Sequence, residues 1–151
     1  MGSYLVVIDD TNEGRVALRY SARRAARTGA SVEVLAIVPP AEFVQWGGVQ
    51  AAMEEEARLR AEAMLLEAAG AIDDEAGIRP SILVRQGEPE KAIADLLKER
   101  SDISALILGA AAEGGPGPLV AHFSGAIAGT LPCPLVIVPE RLADEALDRL
   151  T

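Results

Sequence analysis

The sequence predicts one α/β domain: a five-stranded parallel sheet with helices on both faces. Three observations lead there. Short apolar runs alternate with longer segments of helical periodicity along the whole chain. The runs are continuous and rich in β-branched residues, as in strands buried on both faces. Hydrophobic residues make up 50% of the chain but aromatics only 3%, so the core must be built of Ala, Val, Leu and Ile. At 151 residues the chain suits one domain with a substantial core, and it shows no internal repeat, low-complexity tract or dividing linker.

Tyr4 to Ile8 is the first strand, and the cluster Asp9-Asp10-Thr11-Asn12 after it favours a turn and a helix cap. A helix is expected from Glu13 to Thr28, with Leu18, Ala22, Ala25 and Gly29 on one face and Arg19, Arg23 and Arg27 on another. Val32 to Val38 is the second strand, stopped by Pro39 and Pro40. Ala41 to Gln50 is read as a loop, in which Phe43 and Trp46 serve as a lid, a partner contact or packing on the next helix. That helix runs from Ala51 to Ala76, with a buried stripe of Met53, Ala57, Ala61, Met64, Ala68 and Ile72.

Ser81 to Arg85 is the third strand. A turn through Gly87 and Pro89 leads into a helix ending near Arg100, with Ile93, Leu96 and Leu97 inward. Ala105 to Leu108 is the fourth strand, stopping at Gly109. Pro118 to Thr130 is expected to be helical, Leu135 to Val138 is the fifth strand, and Arg141 to Leu150 is a short helix or a frayed tail.

Acidic residues outnumber basic ones 23 to 14, giving a net charge of -9. That argues against nonspecific nucleic-acid binding, which neutralises phosphates with Lys and Arg, and against an anionic membrane surface. Cys133 is the only cysteine, so no intrachain disulfide can form and a reducing cytoplasm is expected. No basic region with a long apolar segment precedes Tyr4, so no signal peptide is expected.

The stretch from Ala105 to Pro139 carries the chemistry. A strand, a loop with Gly109, Gly114, Gly115 and Gly117, and a helix start form the arrangement that cradles phosphate. In parallel sheets ligands bind outside the carboxyl ends of strands where the strand order reverses. If the first and fourth strands are neighbours, Asp9 to Thr11 and the glycine loop meet at one crevice. Asp9 then accepts a hydrogen bond from a base or ribose, or holds Mg²⁺ through water. The same residues also read simply as a helix cap. Pro116 and Pro118 remove two N–H groups, and the loop is neither G-x-G-x-x-G nor a P-loop. His122, the only histidine, lies where it could reach a phosphate, but the sequence identifies no catalytic partner for it. Ser124 has no nucleophile elbow, and Cys133 no metal-ligand spacing.

Together these pieces resemble the universal stress protein family over nearly the full chain. YLVVIDDTNEGRVALRYSARRAARTGASVEVLAIV is similar to its opening strand–helix–strand unit, VRQGEPEKAIADLLKE to its third strand, turn and helix, and LPCPLVIVP to its terminal Pro-strand signature. The resemblance implies an adenine nucleotide alpha hydrolase-like, Rossmann-like sandwich. It also implies an ATP or AMP site, with Mg²⁺, at Asp9, Thr11, Val38, Gly109, Gly115, Gly117 and His122. The family's nucleotide motif is Gly, two residues, Gly, nine residues, then Gly-Ser or Gly-Thr. Gly109 matches its first position, Ala112 stands at the second, and Ala121-His122 stand at the final pair with the spacing one residue short. The resemblance further implies a homodimer through Leu135–Val138, a stress-linked regulatory role, and at most weak ATP hydrolysis. The alternative expectation is a dimeric protein-interaction module that binds no nucleotide.

Overall fold

A computed structural model describes residues 2–40 and 47–151. Five strands, β1 (Ser3–Val7), β2 (Ser31–Val38), β3 (Ser81–Gln86), β4 (Ile103–Ala110) and β5 (Leu135–Pro139), form one sheet in the order β3-β2-β1-β4-β5. Every pairing is parallel, and β1 lies between β2 and β4. The order reverses at β1, so the β1–β2 and β2–β3 connections cross one face and the β3–β4 and β4–β5 connections the other.

Why the strands read as unbroken apolar runs is visible in their two faces. Val6, Val34, Ala36 and Ile107 point into one core layer, beneath α1 (Asn12–Thr28) and α2 (Gly47–Ala76). Leu5, Leu35, Leu106 and Leu108 point into the other, beneath α3 (Pro89–Glu99) and α4 (Pro118–Phe123). Successive side chains alternate between faces, and both faces are buried. Phe123, the one large aromatic fully buried among the described residues, fills the second layer.

Helix α1 begins at Thr11, whose Oγ1 accepts the Gly14 N–H at 3.2 Å, and ends at Gly29, whose φ of 77° closes the helix. Its arginine face is not left to solvent. The last helix, α5 (Asp144–Leu150), docks there: Arg19 and Arg23 pair with Asp144, and Arg27 donates to the Asp148 carbonyl. Residues 141–150 thus end in a docked helix rather than a frayed tail.

Four expectations need correction. Helix α2 starts at Gly47, so Gly47 and Gly48 belong to it; Phe43 and Trp46 lie outside the described residues. Met53 is exposed, and α2 is anchored by two fully buried residues, Ile72 on the expected stripe and Leu65 one residue off it. Strand β4 does not stop at Gly109 but runs through Ala110, with Gly109 paired to Val138. Finally, the expected helix from Pro118 to Thr130 is six residues of α4 and, after a turn, a 3₁₀ turn at Ala128–Thr130. Gly125 and Gly129 fall inside that span, and glycine is a poor helix former. Among the described residues no helix is long and apolar enough to cross a membrane.

Candidate functional site

A cavity of about 370 Å³ opens at the carboxyl ends of the central strands. Its floor is apolar, made by Val7 of β1, Ile37 of β2 and Leu108 of β4, with Leu119 and Val120 of α4 at the side. Asp9, Glu13, Glu88 and Glu90 supply its charged groups. Gly109 and the Pro116-Gly117-Pro118 turn complete the wall. This is the point where the strand order reverses, the place an open parallel sheet offers a ligand.

Three of the expected residues therefore meet here: Asp9, Gly109 and Gly117. Thr11 stands one step back. Its hydroxyl donates to the Asp9 carboxylate while accepting the Gly14 N–H, so it caps α1 and orients Asp9 together. Asp9 keeps its exposed carboxylate as an acceptor at the cavity mouth. The helix-cap reading and the ligand-facing reading of this cluster are thus compatible.

Val38 lies elsewhere. It lines a smaller cleft of about 240 Å³ with Arg58 and Val84, and its carbonyl accepts the Gly87 N–H at 3.0 Å. Gly115 sits on the open outer loop. His122 does not line the cavity; its Nδ1 is 3.4 Å from the Glu90 carboxylate, and its ring meets Phe123 edge-on at 4.8 Å.

The two glycines at the wall are glycine for different reasons. A Cβ at Gly109 would sit 2.1 Å from the Glu13 carbonyl oxygen, so Gly109 lets the first turn of α1 press against β4. Gly117 has a φ of 106° and ψ of 156°, a conformation essentially confined to glycine, and precedes α4.

The loop between them is held from behind by Glu140, just after β5. Its carboxylate accepts the Ala112 N–H at 2.8 Å and the Asn12 side-chain amide at 3.2 Å. Those two bonds, the backbone one first, hold the Glu140 carboxyl below the usual glutamate value. The Ala111 N–H is taken by the Pro116 carbonyl at 3.2 Å. Glu13, Glu88, Glu90 and Glu140 were not singled out in the sequence. The strand-end rule that pointed to Asp9 applies equally to the turn after β3, and would have found Glu88 and Glu90.

Other candidates resolve to packing. The Ser124 hydroxyl donates to the Val120 carbonyl at 2.6 Å, a bond back onto its own turn. Cys133 is half-buried in the second core layer, and burial pushes its thiol up, away from the reactive thiolate. Among the described residues no three His, Cys, Asp or Glu side chains converge on a metal position.

The sequence model of the universal stress protein family matches residues 2–139. No curated protein matches the chain. Among solved structures, universal stress protein UspA from Lactobacillus plantarum superposes with a TM-score of 0.74 at 17% identity, covering 91% of this chain and 97% of its own. The Archaeoglobus fulgidus universal stress protein in complex with dAMP gives 0.65 at 18% identity, covering 91% and 98%. An Arabidopsis thaliana family protein with AMP bound gives 0.60 at 17% identity, covering 96% and 95%. These likenesses rest on the same parallel five-stranded architecture. With the family match running over most of its length, the chain belongs to the universal stress protein family.

Proposed function

We propose that the protein is a nucleotide-responsive regulator, binding an adenine nucleotide in the cavity between β1 and β4 without efficient turnover. The observation that carries this reading is the cavity itself. An apolar floor, Asp9 and a glycine turn converge at the strand-order reversal, in a fold whose solved relatives include proteins carrying dAMP and AMP. In this proposal the base lies over Val7, Ile37 and Leu108, Asp9 accepts from base or ribose, and Thr11 holds Asp9 in place. The backbone near Val38 borders the base, and Gly115, Gly117 and His122 flank the phosphate side. Mg²⁺ enters only as a companion of ligand phosphates, since it is commonly held by one or two carboxylates and water. ATP or AMP both fall within the proposal. Weak hydrolysis is the most expected, because Ser124 bonds to its own helix and His122 is engaged by Glu90.

We further propose a homodimer through β5, an edge strand whose Ile137 is 40% exposed, working in the cytoplasm, which the lone cysteine suits. The test of the binding reading is calorimetric titration with AMP and ATP, with and without Mg²⁺. Heat saturating at one site per chain, lost in Asp9→Ala, supports it; no heat and no thermal shift at about 1 mM nucleotide overturns it.

A further inference from the structure

The cavity walls carry one sign of charge. Asp9, Glu13, Glu88 and Glu90 line it, and among the described residues no Lys or Arg does. The sequence of residues 41–50 contains no Lys or Arg either. Nearby cations are paired outside the cavity: Arg15 with Asp10 at 3.4 Å, Lys91 with Asp95 at 2.7 Å and Arg141 with Glu113 at 3.1 Å. Backbone donors are few. Pro116 and Pro118 have no N–H and the Ala111 and Ala112 N–H groups are already bonded, which leaves the Leu119 and Val120 N–H groups at the start of the six-residue α4 against four carboxylates.

Hydrogen-bonding chemistry points the same way. Ionised carboxylates only accept, so they need donors from the ligand. Ribose hydroxyls and an exocyclic amine donate, whereas phosphate oxygens at neutral pH accept and find no Lys or Arg among the described lining residues. Each like-charge pair about 6 Å apart weakens binding roughly threefold even in water, and more in a partly desolvated cleft.

We propose that this cavity selects its ligand by charge, taking the uncharged nucleoside in preference to its polyphosphorylated forms. The proposal rests on the adenine-binding reading above and deepens it. It makes the protein a reader of nucleosides, with phosphorylation weakening recognition rather than providing it.

The test is calorimetric titration of the full chain with adenosine, AMP and ATP at low salt without divalent cations. Adenosine should bind at least about tenfold tighter than ATP, and raising the salt from about 0.02 to about 0.3 M should narrow the gap. Glu88→Lys, at an exposed position before α3, should narrow it further; Glu90→Gln serves where that variant does not fold. ATP binding as tightly as adenosine at low salt overturns the charge proposal while leaving adenine binding intact. An adenosine-to-ATP ratio unmoved by both variants also overturns it. If adenosine, AMP and ATP all fail to bind, the adenine reading falls and the charge proposal falls with it.

Discussion

A methyl group added at Gly109 would meet the Glu13 backbone at 2.1 Å, a distance only main-chain movement can relieve. Gly109→Ala should therefore cost about 3 kcal/mol, at the upper end for overpacking. Gly115→Ala faces open space, and its φ of 90° should cost only about 1 kcal/mol. Urea denaturation of the two variants measures the contrast, which inverts what a purely phosphate-binding role for Gly109 would give. Glu140 adds a pH dependence. Its carboxyl titrates lower folded than unfolded because the Ala112 N–H and the Asn12 amide favour the charged form. Its contribution is complete above the ordinary glutamate value of 4.5 and is lost as pH falls through the lower folded value. Thermal melts from pH 7 downward should show Glu140→Gln losing less stability than the parent over that acid window. Asp9 was legible in the sequence because strand-end chemistry is local. Glu140 was not, because its bonds reach residues 28 and 128 positions away.

Helix α2 shows where periodicity reaches its limit. Its Ala-rich sequence offers several stripes of similar hydrophobicity, and choosing between them depends on how the helix sits on β2 and β3. Leu65 is fully buried while Met53 is 54% exposed. Leu65→Ala should cost about 3 kcal/mol and Met53→Ala close to nothing, measured by chemical denaturation. The strands were the most legible elements, since burial on both faces leaves no alternative reading of runs such as Leu5-Val6 or Leu106-Ile107. The short helix α4 was the least legible. Its segment is apolar enough to look helical throughout, but α4 ends at Phe123, just before Gly125, a poor helix former.

At the scale of the molecule, alternating strands and helices implied a parallel sheet, and the strand order made the candidate crevice real by placing β1 beside β4. What alternation could not convey was the charge inside that crevice, which comes from two separate connections, β1 to α1 and β3 to α3, brought together only by the fold. The edge position of β5 carries its own prediction: light scattering should give twice the chain mass, and Ile137→Lys should give monomers. The opposite pole of the sheet is fastened differently. Arg100 forms a two-pronged pair with Asp102 at 2.8 Å and reaches the buried Glu33 at 3.0 Å, tying β2, α3 and β4 together. Arg100→Met would strand the Glu33 carboxylate and should cost about 2 kcal/mol, below the usual loss for a fully buried pair because Arg100 is 36% exposed. That ionic knot has an evolutionary consequence. With one pole clamped by charges that do not line the cavity, the loops at the other pole can accumulate substitutions without unravelling the sheet, so this architecture is free to change what the cavity accepts.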